Sequence, residues 1–188
     1  MKLRQFVFIT VLLTAASIAG SGVRPQGPVD AGGGSRPPDR PGTGRPAGTG
    51  EVIDLRGLRN VEFGDTEAEL TRRGILRSEV NACGPTLTGH ETASPVFVDD
   101  RLVLLWLDDP ARTPEGVTVG TPVEQVRSRY RQVSPLHAPR GTYRLDGLLA
   151  RRGDRAYLFL HDGRTVRRII AGYADWARRL FATGHGPC

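Results

Sequence analysis

The most reactive side chains of this 188-residue chain belong to its two cysteines, Cys83 and Cys188. The N-terminal residues 1–19 predict export, and two cysteines in an oxidising compartment favour a disulfide. In the chain-entropy description, closing a loop of about 100 residues stabilises a fold by up to about 4.7 kcal/mol. We therefore predict a disulfide between Cys83 and Cys188 that secures the C-terminal tail.

A zinc site is the alternative use of the same cysteines, because each has a histidine near it. His90 follows Cys83 by seven residues, and His185 precedes Cys188 by three. Two thiolates and two imidazoles form a ligand set that zinc accepts. The first spacing is longer than is usual for paired zinc ligands, so the disulfide is the leading prediction. No cofactor is expected.

The other two histidines, His137 and His161, could supply acid–base chemistry, and His161 is followed by Asp162. Nucleophilic catalysis also requires a serine or cysteine held on a strained turn. Residues 51–188 contain no Gly-x-Ser-x-Gly motif, and the chain has neither a P-loop nor a dinucleotide fingerprint. No catalytic residue is therefore predicted. The alternative is a small envelope hydrolase whose site the fold assembles from His137, His161 and Asp162.

Tyr173 and Trp176 are the candidate binding residues among the aromatic side chains of the C-terminal region. Most aromatic residues in a domain of this size pack in its core. An exposed pair, however, suits stacking on a glycan or a hot spot for a protein partner. We expect Tyr173 and Trp176 to serve as such a pair.

Positive charge is concentrated near the N-terminus. Residues 1–50 hold six basic and two acidic residues, whereas residues 51–188 hold 20 basic and 18 acidic ones. A domain that mixes both signs so evenly along its sequence has no basic field of the kind that collects nucleic acid backbones. No nucleic-acid partner is expected.

The first 50 residues divide into a targeting segment and a spacer. Lys2 and Arg4 precede an apolar run, residues 6–19, that ends in small residues. This pattern predicts a signal peptide of residues 1–19 and a secreted or cell-wall protein. The alternative is that this segment is not cleaved and anchors the protein in a membrane. The apolar run is shorter than the ~20 residues that span a bilayer. Membrane contact is expected only if the segment is retained. Residues 20–50 include ten Gly and six Pro and predict a disordered linker.

Residues 51–188 predict a single α+β domain built from two related halves, about 51–110 and 111–188. Each half has an apolar-x-apolar-Gly motif before a helical pattern, at Gly64 and at Gly120. The repeated motif predicts that each half begins its helix in the same way.

Capping signals locate the two helix starts. Thr121 is the expected N-cap of the second helix, with Glu124 closing a capping box. In the first half, either of two residues could be the N-cap of the helix. Alignment of the two glycines favours Asp65, whereas Thr66 would form a capping box with Glu69.

Hairpin patterns follow each helix and predict an antiparallel sheet with the two helices on one face. The predicted strands are residues 95–98 with 102–107, part of 141–151, and 157–160 with 165–170. Residues 174–182 fit either a short helix or a closing strand.

Several of these motifs together resemble a family of secreted actinobacterial proteins of unknown function. The resemblance covers about residues 55–188 and rests on the run 113–120, the helix after it, the pattern 158–166, Ala171-Gly172 and the Gly/Cys ending. More distantly, the doubled glycine motif with its strands is similar to the tandem-repeat β-lactamase inhibitor proteins and to small lipoproteins of outer-membrane assembly. Those proteins present a sheet surface to a partner, so the resemblance implies binding rather than catalysis. The chain lacks the lipoprotein cysteine and the dense aromatic face of the inhibitors.

The leading prediction is a non-catalytic interaction domain, secreted or tethered to the cell envelope. Its expected partner is an envelope or extracellular protein or a cell-wall polymer, engaged by the sheet face.

Overall fold

A computed structural model describes residues 50–78 and 84–184 of the chain. The predicted signal peptide, all of the predicted linker except Gly50, and both cysteines lie outside the described residues. The disulfide and three residues of the alternative zinc site, Cys83, His185 and Cys188, therefore stay predictions. Among the described residues, no helix has both the length and the apolar character needed to cross a bilayer.

Ten strands and three helices form the described structure. In chain order they are β1 (Gly57–Leu58), β2 (Val61–Glu62), α1 (Glu67–Arg72), β3 (Leu76–Arg77), β4 (Thr86–Leu87), β5 (Ala93–Val98), β6 (Arg101–Leu107), α2 (Val123–Arg129), β7 (Val133–Leu136), β8 (Asp146–Arg152), β9 (Arg155–His161), β10 (Val166–Tyr173) and α3 (Ala174–Thr183). Two further two-stranded antiparallel sheets, β1–β2 and β3–β4, are not hydrogen-bonded to the main sheet.

Six strands form the main sheet in the order β5-β6-β10-β9-β8-β7, and every neighbouring pair is antiparallel. β6 pairs with β10 and sets Trp106 opposite Ile170. This pairing joins the two strands β5 and β6 to the four strands β10, β9, β8 and β7. Both edge strands contain a proline, Pro95 in β5 and Pro135 in β7. The mixture of helices with antiparallel sheet confirms the predicted α+β class.

The hairpin turns follow from local backbone chemistry. Asp99 and Asp100 form a two-residue turn between β5 and β6 with φ of 48° and 59°. Between β9 and β10, Gly163 has a φ of 91°, and Asp162 Oδ1 accepts hydrogen bonds of 2.9 Å from two backbone N–H groups of the turn. The predicted hairpins are therefore confirmed. The strand predicted within residues 141–151 is also present, as β8.

Both faces of the sheet are covered. Leu70 of α1 and Val126 of α2 pack with Phe159 in the larger core cluster, on one face. On the opposite face, Ala177 of α3 packs against Leu158 in a second cluster. Residues 174–182, which the sequence left open, thus form a helix that covers the second face.

The two predicted helix starts differ in their caps. Thr66 caps α1 with a complete capping box, because its hydroxyl accepts from the backbone N–H of Glu69 and the Glu69 carboxylate accepts from Thr66 N–H, each at 3.1 Å. The expected box at Thr121 is wrong. Its hydroxyl accepts from the backbone N–H of Thr118 at 2.9 Å, and α2 begins after Pro122 with no side-chain cap.

Gly172 offers a direct test of the strand pairing at the centre of the sheet. Its φ is 144°, and a Cβ at this position would overlap the carbonyl oxygen of Val103 on β6. We expect Gly172→Ala to lower the free energy of unfolding by at least about 2 kcal/mol. Gly153→Ala is the control, because a Cβ at this position would meet no other atom. The substitution should cost only the about 1 kcal/mol needed to place alanine in a left-handed backbone conformation. Equal losses in urea denaturation would contradict this account of Gly172.

Candidate functional site

A groove rich in arginine lies where α2 leads into β7 and where β8 ends. Because β7 and β8 are antiparallel, the start of β7 lies beside the end of β8, with Val133 opposite Ala150. Arg131 lies two residues before Val133, and Arg151 directly follows Ala150. The register therefore brings together arginines about 20 residues apart in the sequence.

The groove has a volume of about 980 Å³, and six arginines and two carboxylates line it. The arginines are Arg56, Arg129, Arg131, Arg151, Arg152 and Arg155, and the carboxylates are Asp54 and Glu115. The local excess of positive charge is far larger than the even mixture of charges along residues 51–188 suggests. We refer to this site as the arginine groove.

Two of its arginines have carboxylate partners. Arg56 lies 3.3 Å from Asp54 Oδ2, and Arg155 lies 2.6 Å from Asp154 Oδ2. Burial opposes ionisation of Asp54, but hydrogen bonds from the backbone N–H groups of Arg56 and Gly57 outweigh it and hold the pKa of Asp54 below its usual value. This end of the groove is therefore close to neutral.

The other four guanidinium groups have no carboxylate within 4.0 Å in the described part of the chain. They are Arg129, Arg131, Arg151 and Arg152. Arg129 donates to Gly116 O at 2.8 Å and Arg151 donates to Gly153 O at 2.7 Å, so these two are held in place by backbone carbonyls without losing their charge. Exposed Arg131 and Arg152 complete an uncompensated positive rim.

Tyrosines form the floor of the groove. Burial raises the pKa of Tyr130, and a 2.6 Å hydrogen bond from its hydroxyl to Glu115 Oε2 raises it further. Burial also raises the pKa of Tyr157, whose hydroxyl donates to Ile53 O at 3.1 Å. Both phenols therefore stay protonated at neutral pH and act as fixed hydrogen-bonded supports, not as nucleophiles.

Tyr173 and Trp176, the predicted binding residues, are both half-buried. The Tyr173 ring lies 3.5 Å from the guanidinium carbon of Arg155, so it supports one wall of the arginine groove by a cation–π contact. Trp176 lies on α3, on the other face of the sheet, with Arg179 4.4 Å from its ring. Their role in binding stays a prediction, and only Tyr173 adjoins the groove.

The two histidines of the hydrolase alternative meet around a residue that sequence reasoning missed, Asp146. The Cα of Asp146 is paired with that of His161 across β8 and β9, and His137 Nδ1 lies 3.7 Å from Asp146 Oδ2. A hydrogen bond from Ala138 N–H lowers the pKa of Asp146. Asp162 instead accepts from its own turn, so the structure does not direct it toward this cluster.

His90 adjoins a second groove, of about 900 Å³, in which acidic and basic side chains are mixed. Its two ring nitrogens contact Glu51 and Asn60, so both are already engaged. Within residues 50–78 and 84–184, no three His, Cys, Asp or Glu side chains are grouped so that they could hold a metal ion. The other residues of the alternative zinc site lie outside the described ranges.

The sequence contains only a weak indication of the arginine groove. Arg129 and Arg131 lie at the end of the helical pattern that follows Gly120, and the pair Arg151-Arg152 precedes the turn at Gly153. Charged pairs at strand ends are common on solvated surfaces, and the pairing of β7 with β8 was not predicted. The groove appears only when that pairing is known.

Comparison of the chain with models of protein families, with curated proteins and with solved structures found no match. The resemblance to secreted actinobacterial proteins, and the more distant one to β-lactamase inhibitor proteins and assembly lipoproteins, stay predictions.

His161 predicts a pH dependence of stability. The side chain is buried, with 7% exposure, and burial lowers its pKa below 6.5. The unfolded chain therefore binds a proton more readily than the folded one, so the free energy of unfolding should fall as the pH is lowered from about 6.5 through the folded pKa. We expect urea denaturation to show this decline in the native protein and a shallower one in His161→Gln.

His137→Gln is the matched control, because the His137 side chain is 78% exposed. This variant should lose less of the native slope than His161→Gln does. Parallel slopes for the native protein and His161→Gln below about pH 6.5 would refute the assignment to His161.

Proposed function

We propose that this chain is a non-catalytic binding protein, secreted or tethered to the cell envelope, that engages an envelope protein or cell-wall component. The observation that carries the proposal is the arginine groove with its four uncompensated guanidinium groups. A groove in which positive side chains outnumber negative ones attracts and orients a partner of the opposite sign.

The composition of the groove supports binding over catalysis. Its described lining residues include no serine, cysteine or histidine, and both carboxylates are engaged in hydrogen bonds. Such a set of side chains offers electrostatic attraction without a nucleophile and base. The predicted signal peptide supports a location outside the cytoplasm, and the predicted linker would give the domain reach.

The two-half organisation of the domain also belongs to this proposal. Its support is the similar backbone at the two repeated motifs, where Gly64 has a φ of 103° and Gly120 a φ of 86°, each shortly before a helix. The halves are unequal in the sheet, since the first contributes two strands and the second four.

A hydrolase is the second candidate, favoured by the approach of His137 and His161 to Asp146. Neither histidine lines the arginine groove or the second groove. His161 Nδ1 accepts a 3.1 Å hydrogen bond from Gly163 N–H, which leaves Nε2 as its titrating atom. This arrangement offers an acid–base pair with no described nucleophile beside it.

Binding to isolated cell walls and to membrane vesicles tests the leading proposal. We expect the full chain to sediment with one of these fractions, and Arg131→Gln combined with Arg152→Gln to weaken binding about tenfold or more, since each lost charge contact costs of the order of 1 kcal/mol. The control combines Arg140→Gln with Arg178→Gln, two exposed arginines outside the groove. Equal weakening by both pairs, or no binding by the native chain, would overturn the groove as the binding site.

The same preparations separate the two candidates. His137→Gln and His161→Gln should bind like the native chain. If either variant abolished a turnover of cell-wall material while binding survived, the hydrolase would replace the binding protein.

A further inference from the structure

We propose that the ligand of the arginine groove is a phosphodiester polymer without bases, a chain of polyol phosphates. This inference rests on the binding function proposed above and identifies the chemical class of the partner. Three features of the groove support it: the balance of hydrogen-bond donors and acceptors, the number of guanidinium groups gathered in one place, and the burial of its aromatic rings.

The side chains that line the groove offer more donors than acceptors, since its six guanidinium groups outnumber its two carboxylates and the amide oxygen of Gln132. Its only carboxylates are Asp54, which accepts from two backbone N–H groups, and Glu115, which accepts from Tyr130. A peptide in the groove would bring its own backbone N–H groups, and an N–H without an acceptor is costly when water is excluded. The linkage of a phosphodiester chain carries only acceptors, so it matches the walls.

The groove gathers six arginines, and because residues 51–188 contain no lysine, it is their number in one place that distinguishes this site. A guanidinium group presents a planar fork of donors that binds two oxygens of one phosphate at once. Arg129 and Arg151 are already oriented by backbone carbonyls, which reduces the entropy lost on binding. Exposed Arg131 and Arg152 lie in the same groove, so several phosphates of one chain can be engaged together.

The aromatic rings of the floor are not presented as stacking platforms. Tyr157 is only 2% exposed, and the half-buried Tyr130 packs its ring against Tyr157 and Phe159 at centroid distances of 5.7 and 5.4 Å. Proteins that bind single-stranded nucleic acids combine a basic groove with aromatic rings on which bases stack. The arginine groove has the first feature without the second, which favours a polymer that carries no bases.

The test measures binding of the full chain to synthetic poly(glycerol phosphate) over a series of salt concentrations. Affinity should fall with salt, because each phosphate contact releases counterions. Arg131→Gln combined with Arg152→Gln should weaken binding about tenfold or more and reduce the slope of log K against log salt by about 1.5. Arg140→Gln combined with Arg178→Gln should leave the slope nearly unchanged.

Two comparison probes decide the chemical class. Poly(glutamate) of matched charge tests carboxylate against phosphate, and oligodeoxythymidylate tests a phosphodiester chain with bases. Equal or tighter binding of either probe would overturn the inference.

The outcome is also distinguishable from failure of the proposed function. If poly(glycerol phosphate) does not bind while the Arg131/Arg152 pair of substitutions still abolishes wall or vesicle binding, only the ligand class is wrong. If the native chain binds neither the polymer nor the envelope fractions, both proposals fail.

Discussion

The pairing of β10 with β6 is the interaction on which the rest of the structure depends. It joins a two-stranded part to a four-stranded part, and both core clusters draw residues from these two strands. The close approach is possible because Gly172 has no side chain to meet the Val103 carbonyl. In the sheet, β9, β8 and β7 follow β10 in that spatial order, and the pairing of β7 with β8 creates the arginine groove.

Much of this fold was predictable, because its turns are specified by neighbouring residues. Asp99 and Asp100 adopt the positive φ of a tight turn, and Asp162 accepts hydrogen bonds from its own turn before Gly163, so the hairpins could be predicted from a few residues. The cap at Thr121 could not be predicted, because both of its groups have other partners. The Thr121 hydroxyl accepts from Thr118 N–H, and Val123 N–H donates to Arg164 O on the neighbouring hairpin. Tertiary contacts there replaced a strong local signal.

The candidate site was not predictable in the same way. An even mixture of charges along the sequence says nothing about which charges the fold will pair, and here Asp54 and Asp154 neutralise one end while the rim at Arg131 and Arg152 keeps its charge. The approach of His137 to Asp146 likewise depends on the register of β8. Sequence reasoning identified two of the histidines but missed the carboxylate between them, because strand register is a property of the whole sheet.

The prolines of the two edge strands have a consequence for how copies of this domain behave together. A free sheet edge is a template on which another chain can add a strand, and a proline removes one of the N–H groups that such an addition would use. Pro95 and Pro135 interrupt both edges of this sheet. Copies of this domain at high local concentration therefore have a reduced tendency to join edge to edge into one continuous sheet.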